Sequence, residues 1–203
     1  LFPNVARHMD SLCVLASCHG TNAAHGGALL KLHTGSDAFV RPSMGSWVTY
    51  GLGTDNQQLP GYVVMIDPRG GPIGSASNWS SGYAPAAYQG THFRPSGDPI
   101  DNLYRPKEMS ASQQRRQLDL LRLLNQKHFD TRPYEEELEA RIESFELAYR
   151  MQSAAPDAIN VRQEPEHIQR LYGLDDDRCK HIAAQCLTAR RMVERGVRFV
   201  QIY

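Results

Sequence analysis

Leu12-Cys13-Val14-Leu15-Ala16-Ser17, then Cys18-His19-Gly20-Thr21-Asn22, then Ala23-Ala24-His25-Gly26-Gly27 sets an unbroken apolar run, a polar turn and a glycine-bearing helix start in succession. A continuous apolar stretch bounded by polar residues fits a strand of a parallel sheet covered on both faces, so Leu12 to Ser17 reads as a short buried strand. Asn22 is positioned to cap the helix that follows, Ala23 to His33, and Gly35 to end it in a left-handed turn. Together they make one βα unit.

The same reading extends outward. Ser43 caps a second short helix through Trp47 to Leu52, ended by Gly53, and Tyr62-Val63-Val64-Met65-Ile66 is another buried strand, closed by Asp67-Pro68. Residues 69–108 are long, rich in Gly, Pro and Ser, and carry Trp79, Tyr83, Tyr88, His92 and Phe93; the aromatics argue for packing rather than disorder. Ser110 to Gln113 is a capping-box pattern opening a helix to about His128. Pro133 opens another through Gln152, with Leu138, Ile142, Phe145 and Tyr149 on one stripe. Pro165 starts a short helix ended by Gly173. Asp175, Asp176 and Asp177 put negative charge at the start of a last helix that runs to Arg195 and stops at Gly196. Val197 to Tyr203 is strand-like.

The expected fold class is therefore α/β, a mostly parallel sheet with flanking helices, in a single domain over residues 1–203. Leu1 to Ile100 holds 14 of the 16 glycines but only five basic and five acidic residues, against a charge-rich remainder. This contrast divides the domain into a Gly/Pro-rich, site-bearing half (1–108) and a helical scaffold with the final strand (109–203). A start without Met and an end within a core-like strand predict an incomplete domain, lacking an N-terminal strand and a C-terminal half.

Lysine plus arginine and aspartate plus glutamate balance at 22 each, so no electrostatic case for nucleic acid or anionic lipid arises. No stretch approaches the roughly 20 apolar residues of a membrane span. Cys13, Cys18, Cys179 and Cys186 match neither a disulfide framework nor a zinc-ribbon spacing.

In open α/β sheets ligands bind outside the carboxyl ends of the strands, which directs attention to the residues after Ser17, Ile66 and Tyr203. A helix amino end bearing glycines offers free backbone N–H groups to a phosphate or sulfate ester. Thr21, Asn22 and His25 would face that anion, with Gly26 beside them. A plainer reading makes Asn22 only a cap, Thr21 a loop hydroxyl and His25 an early helical residue. His19, His25 and His33 at spacings of six and eight form no zinc motif, His33 suits the negative end of a helix, and Asp67-Pro68 is ordinary turn chemistry.

Several segments together carry a family likeness: Val5 to Asp10, Asn22 to His25 leading to His33-Thr34-Gly35, Pro42 to Trp47 with Tyr50 to Gly53, Tyr88 to Thr91, and Ala189 to Tyr203. They resemble the uncharacterised sulfatase-like family abundant in planctomycetes, within the alkaline phosphatase and sulfatase superfamily. The resemblance spans essentially the whole chain. It implies a mostly parallel sheet between helices, a bimetal site holding zinc or calcium, and hydrolysis of phosphate or sulfate esters by a nucleophile near the start of a helix ending in Thr-Gly.

Counting back from Thr34-Gly35 puts His25 at the nucleophile's place. Cys18 does not open the Cys-x-Pro-x-Arg pattern of formylglycine sulfatases. His25 is thus a nucleophile or a metal ligand, and Thr21 is a second candidate for covalent attack. The main metal ligands are expected outside this stretch, and family members tend to begin with a twin-arginine export signal, which implies a periplasmic or extracellular parent.

The function expected is part of a metal-dependent phosphate or sulfate ester hydrolase, inactive by itself. Its substrate would be a small ester, with a sulfated glycan among the candidates. The alternative is a non-catalytic glycan- or peptide-binding module. An excised α/β piece also exposes apolar sheet edge or helix faces, which predicts self-association.

Overall fold

A computed structural model describes residues 2–94, 98–100, 103–131 and 136–203, with backbone alone for 136–141. Among the described residues the chain is an α/β structure with a three-stranded parallel sheet and seven helices. The middle strand β1 (Tyr62–Met65) lies between β2 (Thr91–Phe93) and β3 (Phe199–Ile202). Val64 is in register with His92 on one side and Gln201 on the other. The continuous apolar sequence of β1 follows from this place: all four of its residues are buried.

Alternation along the strands sorts the side chains onto two faces. Val63, Met65 and Phe93 join Met151, Ala155 and Ala158 of α5 (Glu136–Ile159) and Met192 of α7 (Lys180–Glu194) in the larger core. Tyr62 and Val64 meet Trp79 on the other face, where Ile66, Phe199 and Tyr203 close the cluster. That second face is covered by α3 (Met44–Leu52) and by the short turn Ser75–Trp79, on which α2 (His25–Thr34) rests. The remaining helices are α1 (Pro3–Ala6), α4 (Ala111–Asp130) and α6 (Glu166–Tyr172).

Most punctuation residues act as read. Gly35 and Gly173 end α2 and α6 in the left-handed region, with φ of 76° and 88°. Ser110 and Gln113 complete the capping box of α4, each side chain bonded to the other's backbone. Ser43 stands at the amino end of α3, yet its hydroxyl pairs with Ser46 Oγ at 2.9 Å instead of capping an amide. Pro133 and the side chain of Leu138 lie outside the described residues.

Three expectations change. Leu12 to Ser17 is not a strand: it pairs with neither sheet edge, and Leu12, Val14 and Leu15 are 46, 63 and 73 % exposed. An apolar run becomes a strand only where a neighbour takes up its N–H and C=O groups, and here both sides of β1 are already occupied. Conversely, β2 arises inside the Gly/Pro-rich segment, where three residues are too few for a period to be seen. Finally, α5 continues past Gln152 to Ile159 through Pro156. The proline takes one hydrogen bond from the Gln152 carbonyl, and complete burial of Ala155 and Ala158 offsets that loss.

Candidate functional site at the carboxyl side of the sheet

α2 starts two residues later than expected, at His25 rather than Ala23, and is not capped by Asn22. Asn22 Oδ1 instead accepts from Ala24 N at 2.9 Å, a local turn that sets the chain up for the helix. The first amide bonded into the helix is that of Ala28, to the Ala24 carbonyl at 2.9 Å. The N–H groups of His25, Gly26 and Gly27 precede it and are the orphan donors of a helix amino end. Two of the three residues lack a side chain for packing reasons. A Cβ on Gly26 would come within 3.1 Å of Ile73, and one on Gly27 within 2.9 Å of Asn22 Cγ and 3.3 Å of the Asp37 carbonyl.

Ile73 belongs to the segment that follows β1, whereas His33, near the other end of α2, reaches Gln201 within β3. The helix thus spans from the segment after β1 to the carboxyl-terminal half of β3. The strand expected immediately before this turn is absent.

Thr21 is brought into a polar cluster. Lys31 Nζ donates to Thr21 Oγ1, which itself donates to Asp37 Oδ2 at 3.4 Å. Lys31 reaches back from the second turn of α2, since residues six apart along a helix lie nearly two turns apart. His25 is exposed at the helix start, as are Cys18 and His19 before it. His25 and His33 are not brought together: among the described residues no group of three or more His, Cys, Asp or Glu could hold a metal ion.

At the carboxyl ends of the strands the structure adds residues that the sequence reading passed over. Asp67 makes the turn as read, accepting from Arg69 N at 2.8 Å and Nε at 3.0 Å, and also meets His181 Nε2 at 3.4 Å. Arg69 holds its carboxyl well below the usual carboxylate range, with His181 adding a smaller pull. Gln185 Nε2 donates to the Ile66 carbonyl at 2.7 Å. His33, taken for a helix-end residue, turns onto the sheet instead. Its Nδ1 pairs with Gln201 Nε2 at 3.1 Å, its ring stands edge-on to Tyr203, and burial lowers its pKa.

Trp79 bridges Tyr203 and His92 at centroid distances of 5.7 and 6.2 Å. His33 Nε2, Asn78 Oδ1, His92 Nε2 and Gln185 Oε1 are buried atoms with no partner among the described residues. Buried polar groups normally find one. No sequence spacing marks these four, because they come from α2, β2, α7 and a turn.

A family profile for proteins of unknown function, DUF1501, matches residues 1–203. The chain belongs to the DUF1501 family. No curated protein and no solved structure matches it. In this DUF1501 chain the α2 amino end and the unpartnered atoms around Trp79 are two places where the described residues offer binding groups. No helix of the described residues is long and apolar enough to cross a membrane.

Proposed function

We propose that this DUF1501 chain carries part of a phosphate- or sulfate-ester hydrolase of the alkaline phosphatase and sulfatase type, exported in its parent form. The ester's oxyanion would lie on the amides of His25, Gly26 and Gly27. The observation that carries the reading is the setting of Thr21, whose hydroxyl touches both an ammonium and a carboxylate beside that helix end. A hydroxyl is a weak nucleophile unless its proton has somewhere to go and its alkoxide is stabilised. Asp37 is the acceptor for that proton, and Lys31 offsets the charge left on Oγ1.

Attack by Thr21 Oγ1 on phosphorus or sulfur forms a Thr21 ester as the bond to the leaving alcohol's oxygen breaks. The proton held by Asp37 passes to that alcohol. Water then hydrolyses the Thr21 ester and regenerates the hydroxyl. This ranks Thr21 ahead of His25 as nucleophile and leaves His25 as a contact to the anion, with Asn22 shaping the turn. The superfamily's zinc or calcium ions find no ligand set within the described residues, so no step is drawn through them.

The test is turnover of p-nitrophenyl phosphate and p-nitrophenyl sulfate, with zinc or calcium ions present, by this chain and by the longest polypeptide that contains it. Intact-mass analysis of trapped enzyme goes alongside. The reading expects a phosphoryl or sulfuryl adduct on Thr21, lost in Thr21→Ala. An adduct on His25, or turnover unaffected by Thr21→Ala, overturns the assignment.

A second reading rests on a different observation. Trp47 and Tyr50 of α3 form an edge-to-face chain of rings with Tyr83 and Tyr88 at 5.2–6.2 Å, and Trp47, Tyr50 and Tyr83 are exposed. Exposed rings of this kind suit a sugar face or a peptide. Trp79, by contrast, is 6 % exposed and unavailable to such a ligand. Quenching of Trp47 fluorescence by neutral oligosaccharides, with no ester turnover, would favour this reading over hydrolysis.

A further inference from the structure

A cavity of about 840 Å³ opens on the opposite, amino-terminal side of the sheet, between the residues that precede β1 and β2 and the paired helices α4 and α5. Its volume lies in the range of about 300–1,000 Å³ typical of small-molecule sites. Leu59, Ile142 and Leu147 supply an apolar wall, and Gln57 and Gln89 supply amides. Arg122 of α4 and Arg150 of α5 also line it.

The charge at this wall is unevenly committed. Glu146 is held by Arg115 through two hydrogen bonds of 2.8 and 3.1 Å, which together with Arg122 and Arg150 keep its carboxyl below the usual range. The guanidinium groups of Arg122 and Arg150 feel that carboxylate but make no hydrogen bond or ion pair with it or with any other described residue. Each guanidinium thus keeps its N–H fork free for a planar or tetrahedral oxyanion. Among the described lining residues, Glu143 is the carboxylate not already neutralised by Arg115.

We propose that this cleft binds an organic anion with an apolar body, a carboxylate or phosphomonoester whose oxygens sit between Arg122 and Arg150 while its body lies on Leu59, Ile142 and Leu147. The bound molecule would tie α4, which has no buried residue of its own, to the loops in front of the sheet. The site is separate from the α2 amino end and does not depend on the hydrolase reading.

The experiment is a titration of the chain with benzoate and with phenyl phosphate, followed by amide chemical shifts and by calorimetry, with acetate as the head group lacking a body. Saturable binding is expected, with shifts in residues 54–61, 86–91 and 142–150 and weaker binding of acetate. Arg122→Gln and Arg150→Gln should each weaken it by about tenfold or more, as loss of a charge-assisted hydrogen bond does. Glu143→Gln should tighten it, an effect that damage to the fold cannot mimic. Thr21→Ala should leave it unchanged. Absence of saturation with both probes, unchanged affinity in the double arginine variant, or shifts confined to the α2 amino end would overturn the proposal.

Discussion

Tyr62 of β1 donates its hydroxyl to Gln201 Oε1 of β3, and the same glutamine amide turns its nitrogen to His33 and to the Tyr203 hydroxyl. One side chain thereby joins two strands and α2. Tyr62 is 2 % exposed, so a hydroxyl stripped of its acceptor has no water to turn to. Gln201→Leu is expected to cost about 1–3 kcal/mol in denaturant unfolding, and Tyr62→Phe added to it should recover part of the loss. Equal additive losses in the two single variants would show that the bond does not couple them.

The same tyrosine governs alkaline stability. Burial pushes its phenol up to about 12 from 10.0, against a smaller opposing effect of the Ser43 hydroxyl, and burial raises Tyr203 as well. The folded state binds the phenolic proton more tightly than the unfolded state. This contribution is therefore complete below pH 10 and is lost as the pH rises towards about 12. Unfolding monitored across that window, with phenolate absorbance recorded in parallel, should show stability falling as Tyr62 ionises, and the fall should be smaller in Tyr62→Phe.

Gly45 packs face-on against the Tyr62 ring. A Cβ there would fall 2.5–2.6 Å from three ring atoms, and the ring, buried between α3 and the sheet, has nowhere to move. Gly45→Ala should destabilise by about 1–3 kcal/mol or more through overpacking, although alanine is the better helix former. An unchanged melting temperature would mean that α3 can shift away from β1.

Arg191 is 5 % exposed and binds four groups at once. Its Nε donates to the Ala158 carbonyl at 3.0 Å, its Nη2 to the Asp157 carbonyl at 2.8 Å and to Gln163 Oε1 at 3.0 Å, and its Nη1 pairs with Glu164. These bonds fasten the end of α5, beyond Pro156, to α7. Arg191→Leu should cost about 3 kcal/mol, because carbonyls and a carboxylate lose their donors together. Hydrogen exchange should accelerate most at 157–164. A uniform loss of protection over the whole chain would contradict this local role.

How much of this was legible beforehand depends on range. Helix ends were readable because their causes lie within four residues: Gly35 and Gly173 adopt backbone angles that other residues resist, and Ser110 needs only Gln113. β1 was readable because burial on both sides leaves an apolar record in the chain, and β3, half-buried at the sheet edge, still carries three apolar residues in four. The α2 amino end was readable as a glycine-bearing helix start. The partnership of Thr21 with Lys31 and Asp37 was not, since ten and sixteen residues of separation carry no local signal.

Leu12 to Ser17 marks the boundary between the two kinds of information. Its composition is that of a buried strand, yet hydrogen-bond partners for a strand are supplied by another segment, and none takes that role here. The sequence alone determined most of the longer helices, the glycine stops of α2 and α6, and the largely parallel α/β character of the core. Only tertiary structure decided which apolar runs enter that sheet and, among the described residues, which polar atoms are left without partners at its carboxyl side and which guanidinium groups remain unpaired at the other. These outcomes depend on contacts between residues far apart in the chain, and local conformational preference does not encode them.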